Sequence, residues 1–155
     1  MSAAIRRASL TTMLALLPAF AVASRPHVRA GGSIHTARAR TTWDSVFTAE
    51  QATRGQTAYN QTCARCHQPA LGGADESPAL TGSTFLGGWN GQTLGDLHAR
   101  VRTTMPPDDP GSYGRQHIAD VIAYVLSVNG FPAGRAELPA DDDLLKGIQF
   151  LSKHP

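Results

Sequence analysis

Two cysteines, both inside the run Cys63-Ala64-Arg65-Cys66-His67, constrain this 155-residue chain more than anything else in it. C-x-x-C-H is the spacing of a covalent haem attachment site. Two thiols on one turn can each add across one vinyl group of a haem. The histidine that follows then lies under the iron, where its imidazole binds as the proximal ligand. Other chemistries also use C-x-x-C. A thioredoxin-like redox pair sits in a βαβ setting, and no strand pattern flanks this run. A structural zinc site takes four ligands, and the chain has no third cysteine or second cluster to complete one. Haem attachment asks three things of the remaining sequence: a second axial ligand, an apolar pocket, and a compartment where the attachment chemistry occurs.

The N-terminus addresses the compartment. Arg6 and Arg7 precede an apolar stretch from Ala8 to Val22, and Ala21-Val22-Ala23 fits a small-x-small cleavage rule. The pattern is that of a secretory signal peptide over residues 1–23, cut between Ala23 and Ser24. An uncleaved anchor is the alternative. The apolar run is short for a span of about 20 residues, and Pro18 interrupts it. The expectation is therefore an exported, periplasmic protein with no stable transmembrane segment after cleavage. Residues 24–42 then form a basic leader, with Arg25, Arg29, Arg38 and Arg40 and little hydrophobic pattern. Residues 43–155 form the folded domain. From Thr41 onward the 12 acids outnumber the remaining basic residues. No Lys/Arg run resembles a nucleic-acid patch, so nucleic acid is not an expected partner.

Only 17% of residues are charged, and 15 glycines and 10 prolines break up the chain. Such a domain is compact and loop-rich, and a buried haem would supply much of the apolar area that its side chains lack. Every periodic segment is helical. Thr48 and Gln51 have capping-box spacing for a helix over 49–60, with Ala52, Gly55, Gln56 and Tyr59 on one face. Gly55 lowers helix propensity there, which a close helix crossing would explain. Residues 68–88 read as a long loop, acceptable if it wraps a cofactor. Thr93 and Asp96 cap a helix over 94–103 with Leu94, Leu97 and Val101 inward. The clearest helix spans 115–128, with Ile118, Val121, Ile122, Val125 and Leu126 inward and Asn129-Gly130 as its stop. A tail helix beginning at Asp141 or Asp142 would place Leu144, Leu145 and Ile148 against the body.

For the second ligand the candidates are few. Of three methionines, Met1 and Met13 belong to the signal peptide, which leaves Met105 in the loop Thr104-Met105-Pro106-Pro107. Two prolines after it can hold the thioether in place without a helix. His98 and His117 are rivals, read as partly exposed surface or packing residues. His27, His35 and His154 lie in the termini.

The order Cys63-Ala64-Arg65-Cys66-His67, Ser77-Pro78-Ala79-Leu80-Thr81-Gly82, Met105-Pro106-Pro107 before an apolar helix resembles class I cytochromes c over about 48–130. The resemblance implies an all-α fold of three to five helices wrapped around one covalently bound haem c. It implies Cys63 and Cys66 as thioether anchors and His67 and Met105 as the iron ligands. Pro78 matches the proline whose carbonyl accepts a hydrogen bond from the proximal imidazole. Leu80 would line the pocket, Trp89 would reach a propionate or pack in the core, and Gly55, Tyr59 and Tyr124 would form the helix crossing. The segments 105–112, 123–126 and 129–134 are similar to bacterial cytochrome domains that take electrons from periplasmic dehydrogenases, although Tyr113 stands where those more often have leucine. The lysine-rich face of mitochondrial cytochrome c is absent, since Lys146 and Lys153 are the only lysines. The expected function is single-electron transfer between redox partner proteins, a periplasmic dehydrogenase and a terminal acceptor, rather than catalysis. The alternatives are a haem subunit of one dedicated dehydrogenase and a five-coordinate catalytic or gas-binding haem protein.

Overall fold

A computed structural model describes residues 39–155; the expected signal peptide over 1–23 and most of the expected basic leader over 24–42 lie outside the described residues. The element order is β1 (Arg40–Thr41), α1 (Ala49–Thr62), α2 (Ala64–His67), α3 (Gly82–Trp89), α4 (Leu94–Thr104), α5 (Arg115–Val128), α6 (Asp142–Lys146) and β2 (Ile148–Gln149). The fold is all-α apart from one parallel pairing, in which Arg40 sits opposite Ile148 and Thr41 opposite Gln149. Trp43 reinforces that closure, donating from its indole nitrogen to the Leu151 carbonyl at 2.9 Å. The folded body therefore reaches back from Trp43 to at least Arg40.

The crossing of α1 and α5 organises the core. Thr48 is extended and its hydroxyl accepts from the Gln51 amide at 3.1 Å, so α1 starts where the capping pattern puts it. Only half of the expected box forms. The Gln51 side chain is fully buried. Its amide donates to Asp120 Oδ1 (3.1 Å) and to the Leu138 carbonyl (3.0 Å), and its oxygen accepts from Leu138 N (2.6 Å). Gln51, Gly55 and Tyr59 are spaced i, i+4, i+8, so they and Ala52 make the buried face; Gln56, expected there, is exposed. A Cβ on Gly55 would overlap the Asp120 carbonyl oxygen and stand 3.0 Å from Tyr124 Cβ. The missing side chain lets the two backbones meet. One helical turn further on, the Tyr59 and Tyr124 rings pack with centroids 5.4 Å apart.

The α5 helix is apolar on two sides. Ile118, Val121, Ile122, Val125 and Leu126 are buried as the period predicts, and Ala119, Ala123 and Tyr124 are buried as well. One flank packs on α1 and the other faces a large cavity. The α4 capping box is complete: Asp96 N donates to Thr93 Oγ1 (3.1 Å) and Thr93 N to Asp96 Oδ2 (2.9 Å).

Two further sequence expectations change. The loop read over 68–88 contains α3, despite three glycines in its eight residues. Phe85 is buried and meets Phe150 edge-on at 6.0 Å, and that long-range burial outweighs the local helix penalty. In α6 the Asp141 side chain caps the amides of Asp143 and Leu144. Leu145 and Ile148 are buried, but Leu144 is 62% exposed. A five-residue helix covers only one narrow stripe, and Leu144 falls outside it.

Gly55→Ala is expected to destabilise the protein by at least about 1–3 kcal/mol, the range for overpacking a close contact. Gly87→Ala in α3, where a Cβ meets nothing within 4 Å, should stabilise by roughly 0.5–1 kcal/mol. Denaturant midpoints at constant m-value check both. Burial acts to raise the Asp120 carboxyl pKa, but hydrogen bonds from Arg54, Gln116 and Gln51 outweigh it and hold the group below its ordinary value. The stability this gives is complete above the unfolded pKa of about 3.9 and is lost as pH falls through the lower folded value. Asp120→Asn should cost about 1 kcal/mol at neutral pH and flatten the acid limb of a Tm-against-pH curve.

Candidate haem site

The α1 helix delivers the attachment run without a break. Cys63 N donates to the Tyr59 carbonyl (2.8 Å), and His67 N donates to the Cys63 carbonyl (3.0 Å), so α2 follows α1 almost continuously. Cys63 is half-buried, Cys66 is exposed and His67 is buried; both thiols are free. Burial pushes the Cys63 thiol above its ordinary value, opposed by the Thr62 hydroxyl 3.3 Å away. A reactive redox dithiol has a lowered thiol pKa. At Cys63 the shift runs the other way, and α1 and α2 flank the run with no strand of a βαβ unit beside it, which disfavours the thioredoxin-like reading.

After His67 the chain doubles back. Gln68, Leu71, Gly73 and Asp75 all take positive φ. Gly73 N donates to the His67 carbonyl (3.0 Å), and Leu80 N to the Leu71 carbonyl (2.8 Å). At Gly73 (φ 73°) a Cβ would lie 2.5 Å from Ser77 O and 2.6 Å from Ala79 N. Only glycine permits a loop this tight. The loop sets the Pro78 carbonyl 2.8 Å from His67 Nδ1. A carbonyl only accepts, so the imidazole proton is on Nδ1 and the Nε2 lone pair is left available. Burial pushes the nearby Tyr59 phenol up to about 12, and it donates to the Gln68 carbonyl at 2.7 Å, fixing the start of the same loop.

A cavity of about 960 Å³ opens between this loop and α3, α4 and α5. Ligand sites are typically ~300–1,000 Å³, so there is room for a large prosthetic group. Its wall includes Cys63, Cys66, His67, Pro78, Leu80, Trp89 and Met105, which brings together the residues expected from the resemblance to hold the haem. Phe85, Leu97, Val101, Ile118, Val121, Ile122 and Val125 make much of the rest of the surface. The donor set fits a haem: two thiols and an imidazole nitrogen from one turn, a thioether from another segment, and an apolar wall for the macrocycle. Met105 follows α4 as its extended C-cap, held by its N–H to the Val101 carbonyl (2.9 Å).

The rival histidines separate. His98, read as partly exposed, is fully buried, and it is not on the cavity wall. Its Nε2 lies 3.1 Å from the Arg115 carbonyl and its Nδ1 3.2 Å from Asp142 Oδ1. His117 is half-buried on the wall, stacked on Tyr113 (4.7 Å) and 3.4 Å from Thr62 Oγ1. Two contributors escaped the sequence reading. Arg100 adds a guanidinium to the wall. Asn129, read only as a helix stop, donates to the Leu80 and Val125 carbonyls (2.9 and 2.8 Å) and accepts from Gly82 N (3.2 Å). It fixes the Leu80 segment to the end of α5. An Asn-Gly pair after a helix is the only local sign of it.

Residues 50–125 match the protein family described as cytochrome C oxidase, cbb3-type, subunit III. That span contains the attachment run and Met105. Among solved structures, the sulfane dehydrogenase SoxCD from Paracoccus pantotrophus is similar with a TM-score of 0.46 at 17% identity, over 70% of this chain and 61% of that one. A likeness at that level says nothing of partner or reaction. No curated protein matches the chain. No helix among the described residues is long and apolar enough to cross a membrane.

In the mature protein the haem is expected to stay with the polypeptide through denaturing electrophoresis and acid-solvent extraction. Cys63→Ser/Cys66→Ser should lose all covalent haem, read by in-gel haem staining and intact mass.

Proposed function

Because the chain carries a class I c-type cytochrome domain, whose work is haem-based electron transfer, we propose that it is an exported single-electron carrier with His67 and Met105 as its axial pair. The observation that carries this reading is the shared cavity. It holds the imidazole of His67, oriented by the Pro78 carbonyl at 2.8 Å, and the thioether of Met105. When bound, the haem supplies a reversible one-electron iron couple.

The chain's own residues set the terms of that couple. Cys63 and Cys66 anchor the macrocycle, so it is not lost between partners. The hydrogen bond from His67 Nδ1 to Pro78 strengthens the imidazole as a donor and fixes its plane. The thioether of Met105 favours the ferrous state and raises the potential above that of two nitrogen ligands. Pro106 and Pro107 restrict the backbone behind it. With His67 fixed by the Pro78 carbonyl and Met105 by the Val101 carbonyl and its prolines, these residues would move little as a bound haem changed charge, which would suit fast transfer without substrate at the metal. Apolar side chains of α4 and α5 keep water off the macrocycle, while Cys66 lies exposed where the cavity meets solvent. We assign a periplasmic dehydrogenase as electron donor and a further redox protein as acceptor. Support for the donor comes from the similarity of segments 105–112 and 129–134 to dehydrogenase-linked cytochromes. The absence of a lysine-rich face argues against docking of the mitochondrial type.

Met105→Ala is expected to remove the sulfur-to-iron band of the oxidised spectrum, lower the midpoint potential, and let carbon monoxide bind the ferrous protein rapidly. A spectrum and potential equal to wild type would exclude Met105 as the ligand. Rapid, complete carbon monoxide binding by the wild-type protein would favour a haem protein with an open sixth position instead.

A further inference from the structure

We propose that Arg65 and Asp108 form a clasp that keeps the Met105 loop closed over the attachment run. Arg65 stands between the two cysteines, and Asp108 stands three residues beyond Met105. Arg65 Nη2 donates to both carboxylate oxygens of Asp108, at 2.9 Å to Oδ1 and 2.7 Å to Oδ2. One side chain is thus carried by the turn that bears His67, and the other by the loop that bears Met105. The inference rests on the reading of Met105 as an iron ligand.

The loop has little else to hold it. Asp109 N donates to the Pro106 carbonyl (3.1 Å), Gly111 N to the Met105 carbonyl (3.4 Å) and Ser112 N to the Asp109 carbonyl (3.3 Å). All three bonds stay inside the loop. Among the described residues, the Arg65–Asp108 pair is the side-chain hydrogen bond that ties 106–112 to another element; otherwise the loop is tied only to its own stem, where Gly111 N reaches the Met105 carbonyl and Met105 N the Val101 carbonyl (2.9 Å). Tyr113, at the loop's far end, is anchored by its stack on His117. Prolines at 106, 107 and 110 limit the loop's internal shapes, so it would lift as a unit about its stem at Met105, whose N–H stays on the Val101 carbonyl, and swing the Met105 side chain with it.

Exposure decides what the pair can do. Arg65 is 60% and Asp108 63% exposed. Such a pair adds little to global stability. Local opening of one loop involves far smaller free energies than unfolding, and there a weak tie matters. Arg65 and Asp108 are therefore positioning residues for the distal ligand.

The test is carbon monoxide binding to the ferrous holoprotein. Asp108→Asn is the main variant because it leaves the attachment run intact. At about 10 mM salt, where screening reaches only over about 30 Å, Asp108→Asn should bind carbon monoxide about two- to fivefold faster than wild type, the span an exposed pair allows. In about 1 M salt, with screening over about 3 Å, wild type should approach the variant's rate while the variant barely changes. Asp108→Glu, which keeps a carboxylate within reach, should restore the slow rate. The temperature at which the sulfur-to-iron band disappears should fall in Asp108→Asn, with the global Tm unmoved. Equal carbon monoxide rates for wild type and Asp108→Asn at low salt would overturn the clasp. So would a faster rate in Asp108→Glu equal to that of Asp108→Asn. Met105→Ala, run in parallel, separates the two failures. If it opens the iron while Asp108→Asn does nothing, the clasp falls and the ligand assignment stands. If Met105→Ala changes nothing, the ligand assignment falls first.

Discussion

The contact between Gly55 and the Asp120 carbonyl sets the dimensions of this protein. The α1 helix ends in the attachment run, and α5 forms one wall of the cavity. How closely α1 approaches α5 therefore decides where Cys63, Cys66 and His67 stand relative to Ile118, Val121, Ile122 and Val125. A methyl group at position 55 would push the helices apart at their crossing. The Gln51 side chain, bonded to both Asp120 and Leu138, and the Tyr59–Tyr124 pair lock the same crossing on either side of Gly55. The site is thus positioned by a packing contact between residues, Gly55 and Asp120, that do not themselves line the cavity. This accounts for the burial of α5 nearly all round, since that helix serves as core to α1 and as wall to the cavity.

What the sequence disclosed and what it withheld divide along one physical line. Local periodicity and local capping were legible. The α5 boundaries, the Thr93–Asp96 box and the helical run into the attachment site follow from residues within one or two turns of each other. Seven residues of the cavity wall, from Cys63 to Met105, were legible as well, because the attachment run and the Met-Pro-Pro loop each announce themselves in a few positions. The misses involve partners far apart in the chain. Phe85 makes α3 worth forming only because Phe150 waits 65 residues on. Gln51 leaves its capping role for Leu138, and Asn129 holds the carbonyl of Leu80. His98 disappears into the core because Arg115 and Asp142 converge on it from α5 and α6. No window on the sequence contains those pairs.

The proximal side and the distal side are built on different principles. His67 is held by backbone: a tight loop whose glycine admits no substitute, and a carbonyl acceptor that no side-chain exchange removes. Met105 is held by its N–H to the Val101 carbonyl and by the prolines after it and, in the proposed clasp, by surface charge. The first arrangement is insensitive to salt. The second is not, because an ion pair in water is weakened by every added ion. With the ligand pair proposed above, one ligand would be fixed and the other conditional, so the molecule would keep its cofactor permanently and still vary how tightly the iron is capped.

The pairing of Arg40–Thr41 with Ile148–Gln149 bears on how the body closes. The strand that completes it lies beyond every described helix, so β1, the Trp43 indole and the Phe85 ring find their partners only across the whole length of the helical body. Closure is therefore a long-range event that joins the segment before the attachment run to the segment after the cavity wall.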